Sequence, residues 1–467
     1  MSLKLTTDTE LTTIANAIRE KSGTNESLIY PNGFVSAISN INSGGSGKSV
    51  ASNDVNFYDY DGTIVYSYSA ADFANITSLP TNPDNTSDGL IAQGWNWTLS
   101  DAKTYVAAYG RLDIGQMYVT TDGKTHVHIH LEQGRTSPML GVCPNGTVDV
   151  DWGDGTTHDT LTGTSTTTVQ WTNNHNYATP GDYVIKLTVS EGGSMGFYGG
   201  PSNNQGSGLL RYSSSGDNRN YVYRNAIRAV FIGSGVTSIR SAAFYNCYNL
   251  ANVMIPSNVT SIGDNAFYSC YSLSSVMIPN SVTNIGNSAF SDCYSLSSVI
   301  IPSSVTSIGT YAFRGCSSLL NMTILSNVTS IGDNAFYSCY SLSSVTILSN
   351  VTSIGDNAFY SCYSLSSVTI PSDVTSIGSS SFYDCYSLSS VTIPSDVTSI
   401  GTYAFRGCYG LSELHFKPET PPTVSNSSDA FAGIPTDCKI YVPTGKLASY
   451  TSANNYPSSS TYTYVEE

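Results

Sequence analysis

His126, His128 and His130 alternate within the run Thr125–Leu131. Residues i and i+2 of a strand share a face, so the three imidazoles could converge on a metal ion. In a trimer the same residues could meet at the axis. A polar edge of a β-sandwich explains the spacing too and is the favoured reading. Asp149, Asp151 and Asp154 carry carboxylates at a spacing suited to calcium, or to Asx turns closed on their own backbone. Hydrolysis would need two carboxylates in unlike environments. Asp264, Asp333, Asp356 and Asp384 are the acids at hand, and the first three copy one repeat position, so they form a row of like neighbours. No Ser-His-Asp order stands out among six histidines. No C-x-x-C supports zinc. Gly45-Ser46-Gly47-Lys48-Ser49 imitates a phosphate-binding loop, but Asn42 stands where that motif needs glycine, and neither strand nor helix flanks it. The reading is a chain without catalytic residues or cofactor, with no metal beyond those six His and Asp candidates.

The elements behind these residues are dominated by a repeat. Eight of ten cysteines, from Cys247 to Cys408, recur every 23 residues; Cys143 and Cys438 stand outside. From Val236 to Phe416 the unit reads V-T-S-I-G-x-x-A-F-x-x-C-x-x-L-x-x-V-x-I-P. A degenerate ninth copy follows around Ala430-Phe431 and 438–443. One unit cannot bury its own apolar positions, whereas stacking turns each into a ladder through a continuous core. V-x-I alternates and predicts a short strand; A-F-x-x-C predicts the turn back. The cysteines are expected as buried, inert hydrophobes.

These residues resemble the BspA-type leucine-rich repeat over residues 230–443. The resemblance implies a right-handed, curved solenoid that binds proteins or glycans and is no enzyme. Leu325 and Leu348 replace the proline and Met322 the valine, which should loosen a turn without breaking the stack.

Upstream, Thr7-x-x-Glu10 fits a capping box, and Leu11, Ile14, Ala15 and Ile18 line one helical face. Phe34, Ile38 and Ile41 predict a second helix. Residues 1–41 are too few for a core, so they are read as a helical attachment or oligomerisation module. L-T-x-I-A-N-A-I-R-x-K-S-G-T and Y-P-N-G-F-V-S-A-I resemble the N-terminal segment of tail proteins in phages of Gram-positive bacteria. Residues 42–49 read as a flexible linker. Residues 50–122 read as a small α+β domain, with a hairpin around Asp61-Gly62, a helix from Ser100-Asp101 to Tyr109, and Trp95 and Trp97 in its core. Its F-Y-D-Y-D-G-T-I-V-Y-S-Y and Q-G-W-N-W also resemble a module of such tail proteins. Residues 123–192 read as a β-sandwich with strands at Thr125–Leu131, Thr147–Trp152 and Tyr183–Val189. Asp151-Trp152-Gly153-Asp154-Gly155, His175-Asn176-Tyr177 and Pro180-Gly181-Asp182-Tyr183 resemble the PKD-type immunoglobulin-like domain, a spacer without catalysis. Residues 193–229 read as a Gly/Ser/Asn-rich connection, 230–417 as eight repeats, and 418–467 as a degenerate repeat and cap. The fold class is thus multidomain and mostly β: N-terminal helices, small α+β domain, PKD-like sandwich, leucine-rich-repeat solenoid.

Composition sets the functional class. The 467 residues carry 19 basic and 34 acidic side chains, a net charge of −15, which argues against nucleic-acid binding by phosphate neutralisation. Charged residues are 11%, so the surface falls to Ser, Thr, Asn, Gly and 33 tyrosines. No apolar run is long enough for a membrane span, and neither a signal peptide nor an anchor is visible. Tyrosine follows the repeat Phe at 245, 268, 337, 360 and 383, and the repeat Cys at 248, 271, 294, 340, 363, 386 and 409. Both positions should face solvent, as binding side chains or as a cover over the turn. Tyr337, Tyr340, Tyr360, Tyr363, Tyr383 and Tyr386 form the longest run with both positions filled and are the candidate binding residues; the outward Ser and Thr of the strands make a flat face poor in anchors. The expected function is host-surface recognition by a phage tail-tip or tail-fibre protein. It would be assembled in the host cytoplasm and located in the virion. Its partners would be a host glycan or protein and other tail proteins, and it would be a homo-oligomer, a trimer on the fibre reading. The alternatives are a bacterial cell-surface adhesin and, less favoured, a polysaccharide-degrading tailspike.

Overall fold

The computed structural model describes residues 54–58, 64–84, 90–95, 99–109, 112–197, 209–211, 221–324, 327–347, 350–424 and 429–467. The helices expected within 1–41, the linker 42–49, the Asp61-Gly62 turn, Trp97, Leu325 and Leu348 lie outside the described residues. The chain divides into two compact units: one takes in the chain up to Ser78 with Leu99–Asp113, the other Leu79–Thr98 with Ile114–Glu467.

In the first unit, β1 (Asp54–Tyr58) and β2 (Ile64–Ser69) pair antiparallel, with Phe57 opposite Tyr66. Ser69 caps α1 (Ala70–Asn75), its Oγ accepting the Asp72 N–H at 3.1 Å. Helix α2 (Leu99–Tyr109) lies where the sequence places it. Phe57 is enclosed by Tyr66, Tyr68 and Phe73 at 5.9–6.3 Å, and Val55, Phe73, Ala102 and Val106 are buried as well.

The second unit opens with β3 (Leu90–Trp95), antiparallel to β4 (Leu112–Thr120), which belongs to this unit from Ile114 on. Trp95 is buried and donates Nε1–H to the Pro80 carbonyl at 2.8 Å, so it is core and not a ligand platform. There follow β5 (Thr125–Leu131), β6 (Met139–Asp151), β7 (Asp159–Thr164), β8 (Gln170–Trp171) and β9 (Gly181–Val189). The 193–229 segment, expected as a long loop, carries β10 (Ser194–Phe197), β11 (Leu210–Arg211), α3 (Tyr221–Arg224) and the start of β12 (Ile227–Phe231). Its Gly and Ser content hides Met195, Phe197, Leu209 and Leu210, all buried. Strand β10 pairs with β6 on one side and with β13 (Val236–Ile239), the first strand of the repeats, on the other. Strand β12 joins β5 antiparallel and Asn252–Met254 parallel. One sheet therefore passes from the β5–β9 region into the repeats.

Each 23-residue coil supplies two parallel strands. The V-x-I strand is as expected: Ser344–Ile347 pairs in register with Ser367–Thr369. The second arises from the Ser-Ile of V-T-S-I, as Ser330–Ile331, Ser353–Ile354 and Ser376–Ile377. Two residues are too short to show a period of two, so this ladder has no separate signature in the sequence. Beside it the threonine N–H groups reach one coil back, Thr352 to the Thr329 carbonyl at 3.0 Å and Thr375 to Thr352 at 2.9 Å.

Phe244 to Phe405 stack at 5.2–5.5 Å and Phe431 continues the column at 5.8 Å. Each buried Phe contributes about 1.5–3 kcal/mol. The glycine of each coil permits the spacing: a Cβ on Gly355 would sit 2.7 Å from Asp333 N and 2.8 Å from Gly332 C. Asn265, Asn334 and Asn357 hold positive φ before A-F, a conformation that asparagine tolerates. Thr463–Glu466 pairs with Lys439–Val442 at the far end, and Tyr450 is buried over it, donating to the Pro418 carbonyl at 2.7 Å.

One coil departs from the others. Ser381 replaces the alanine of A-F, is fully buried, and its Oγ has no hydrogen-bond partner. Ala occupies that place at 335, 358 and 404, fully buried. Ser381→Ala is expected to stabilise the protein by about 1 kcal/mol, the cost of an unsatisfied buried hydroxyl. Chemical denaturation measures it; a destabilised variant would show that the hydroxyl is bonded after all.

Candidate recognition surface

The two tyrosine positions of the repeat make two files of unlike character. Those after Phe, Tyr337, Tyr360 and Tyr383, are half-buried and stack at 4.8 and 4.6 Å. Those after Cys, Tyr340, Tyr363 and Tyr386, are exposed and stack at 5.0 and 4.8 Å. Because they stack, each ring covers its neighbours' faces. What solvent meets is a row of ring edges and hydroxyls. Burial, then Tyr383, raises the Tyr360 phenol; burial, then Asp384, raises that of Tyr386. Both are therefore neutral at pH 7 and can donate as well as accept hydrogen bonds. Sequence spacing shows that both files exist. It does not show that one is a half-buried cover and the other an exposed edge. Arginine breaks the inner file, with Arg314 5.8 Å above Tyr337 and Arg406 5.9 Å from Tyr383.

The ladder thiols lie beneath. All ten cysteines are free and buried. Cys339 donates Sγ–H to the Phe313 carbonyl at 3.2 Å and Cys362 to Phe336 at 3.3 Å, and the pattern holds from Cys270 to Cys408. Burial pushes the Cys247 thiol up to about 12 and Cys270 well above the ordinary value. A protonated thiol out of reach of solvent is no nucleophile.

The acids are structural too. Asp264 accepts the Asn287 N–H at 2.7 Å, Asp333 that of Asp356 at 2.9 Å, and Asp356 that of Ser379 at 2.6 Å. Each carboxylate ties its coil to the next.

The three histidines do share the polar face of β5, but β5 lies between β9 and β12 and is not the expected edge. His126 pairs with Asp122 at 3.0 Å and His130 with Asp182 at 2.7 Å. His128 packs edge-on against Phe231, and burial holds its imidazole below the ordinary value. Asp149 binds His158 at 2.9 Å, Asp151 accepts the Gly153 N–H at 2.9 Å, and Asp154 meets His175 at 2.8 Å. Among the described residues no group of three His, Cys, Asp or Glu is placed to hold an ion.

The D-W-G-D-G and H-N-Y stretches build one cluster. Trp152 stacks on His175 at 4.5 Å and donates to Asp159 at 2.9 Å; Tyr177 donates to the Trp152 carbonyl at 2.8 Å. Burial opposes ionisation of Asp154, yet hydrogen bonds from Thr156 and His175 hold its carboxyl below the ordinary range.

Residues 218–343, 283–412 and 329–443 match the BspA type leucine rich repeat region, in six copies. The solenoid is a BspA-type leucine-rich repeat. Among solved structures, a leucine-rich repeat protein from T. pallidum is 30% identical, over 41% of this chain and 86% of its own, with a TM-score of 0.34. A leucine-rich repeat protein from Bacteroides ovatus is 25% identical over 50% and 77%, TM-score 0.25. A leucine rich cell surface protein from Faecalibacterium prausnitzii is 24% identical over 57% and 92%, TM-score 0.34. No curated protein matches the chain. Membership in the BspA-type repeats rests on the 23-residue signature and is consistent with an adhesion-type function. Among the described residues no helix is long and apolar enough to cross a membrane.

Proposed function

We propose that this chain is a phage tail-tip or tail-fibre protein whose BspA-type solenoid recognises the host surface without catalysis, its contact ridge being the exposed tyrosine file. The file itself carries the reading. Tyr340, Tyr363 and Tyr386 present ring edges and hydroxyls in one line on a rigid scaffold, and Tyr gives large amphipathic area at low entropic cost. The outward strand residues Ser344, Thr346, Ser367, Thr369, Ser390 and Thr392 offer no anchor of that size. The N-terminal likeness to tail proteins of phages of Gram-positive bacteria supports the tail assignment, as does the free state of ten thiols, which suits assembly in a reducing cytoplasm. On this reading the 1–41 segment attaches the chain to other tail proteins or to its own copies, and the D-W-G-D-G domain is a PKD-like spacer. The repeat family by itself supports the second reading, a bacterial cell-surface adhesin.

Replacing Tyr340, Tyr363 and Tyr386 by Ser should reduce adsorption to host cells to background while the far-ultraviolet circular dichroism stays unchanged. Normal adsorption by that variant, with a loss when Thr346, Thr369 and Thr392 become Glu, would move the site to the strand face.

A further inference from the structure

The exposed tyrosine file is interrupted once, at Ser317. Tyr294 stands one coil before it and Tyr340 one coil after. Within the uninterrupted stretches each ring is stacked on the next, 4.8 Å from Tyr271 to Tyr294 and 5.0 Å from Tyr340 to Tyr363. Across Ser317 the two rings are two coils apart, roughly 10 Å for two steps of strand spacing. The core below keeps its step there, with Phe290, Phe313 and Phe336 at 5.4 and 5.5 Å. The gap is therefore one ring wide.

Exposure marks the same place. Tyr294 and Tyr340 are 45% and 44% exposed, against 36%, 38% and 40% for Tyr271, Tyr363 and Tyr386, while Tyr409, at the open end of the file, is 62% exposed. The two rings that border the gap each have a face that no tyrosine covers. Tyr340 is near enough to raise the Tyr294 phenol, after burial, Asp292 and Tyr271. At the side stand Arg314 and Asp292, an ion pair at 3.5 Å; Ser317 forms the floor, its Oγ donating to the Tyr294 carbonyl at 3.4 Å.

We infer that this slot binds a single neutral pyranose ring of a glycan, sandwiched between Tyr294 and Tyr340. A pyranose has two C–H faces that pack on aromatic rings and a rim of hydroxyls that needs donors and acceptors. The slot offers both: two ring faces, and Arg314, Asp292 and the Ser317 hydroxyl beside them. An aromatic side chain would use the faces and leave unused the further hydrogen-bonding capacity of those polar groups. The Arg314–Asp292 pair has no net charge, which favours a neutral sugar over an acidic one. The inference rests on the proposed recognition role and names the chemical class that the ridge selects.

Soluble probes test it on the full chain: the methyl pyranosides of glucose, galactose and N-acetylglucosamine, with N-acetyltyrosinamide as the aromatic comparison. Saturation-transfer NMR should show at least one pyranoside binding. Ser317→Tyr completes the file with the residue found at this position in neighbouring coils, so it should fold and lose at least about tenfold in affinity as the slot closes. Ser372→Ala, on an exposed side chain outside the file, should leave pyranoside binding unchanged. Three results would overturn the proposal: no pyranoside bound, equal binding by Ser317→Tyr, or binding of N-acetyltyrosinamide alone. None of them depends on cell adsorption, so failure of the slot and failure of the tyrosine ridge are separable.

Discussion

Raising the pH through about 10 should unfold the solenoid steeply, with a slope set by its cysteines. The fold holds each ladder thiol in the neutral form, because burial pushes its pKa up, to about 12 for Cys247 and well beyond the ordinary 9.0 for Cys270, Cys316, Cys339 and Cys385. Below the ordinary value, folded and unfolded chains both keep the proton, and the thiols add no pH dependence. Above it, the unfolded chain releases protons that the folded chain retains, so stability falls as pH rises. Each thiol costs about 1.4 kcal/mol per pH unit, and eight released together approach roughly 11 kcal/mol per unit. That competes with a total stability of about 5–15 kcal/mol. Tyr450, Tyr456 and Tyr464, raised by burial, add to the loss at higher pH. Circular dichroism against pH checks the midpoint. The double change Cys339→Ala with Cys362→Ala checks the cause: lost packing lowers the midpoint, but only lost titration reduces the slope, by about two protons. An unchanged slope would refute the assignment. Reductant should not alter the melting temperature at neutral pH, since every cysteine is already a thiol.

Gly355→Ala should cost about 3 kcal/mol, at the upper end of the cost of overpacking. The added methyl meets backbone, Asp333 N at 2.7 Å and Gly332 C at 2.8 Å, and no side-chain rotation can relieve it. Gly332 and Gly378 are as tight, at 2.8 and 2.6 Å, so relaxing one coil transmits strain to the next. Coils touch only their neighbours, so one opened interface near the middle weakens the coupling of the two halves. Urea denaturation should show an earlier and broader transition. Ser364→Ala, on an exposed side chain one turn away, should stay within about 0.5 kcal/mol of the parent. A Gly355→Ala variant equally close to the parent would mean that the coils can separate without loss.

The repeat was legible in the sequence because eight copies sample the same environment: an apolar residue at every recurrence of one position has to be a ladder. Phe336, Cys339 and Leu342 are fully buried for that reason. The Ser-Ile ladder escaped because a two-residue strand carries no alternation. The 193–229 strands escaped because Gly and Ser around Met195 and Phe197 read as loop, while their partners, β6, β5 and β13, lie far off in sequence. Of the recognition surface, the identity of the tyrosines was legible, but their orientation was not. That the rings cover one another, and that Ser317 opens a gap rather than merely ending a row, follows from coil spacing, which no single residue encodes.

The bonds joining the coils also decide how the solenoid bears a mechanical load. The N–H of Thr352 to Thr329, of Asp356 to the Asp333 carboxylate, and of Phe336 to the Ala358 carbonyl all run from one coil to its neighbour. A pull along the stack draws on these bonds lengthwise, and on few of them at once, since each coil is held by its own set. Coils would then peel off in turn, each releasing roughly 7–8 nm of chain for its 23 residues. A solenoid that yields in such steps dissipates work over a long extension and keeps its remaining coils folded.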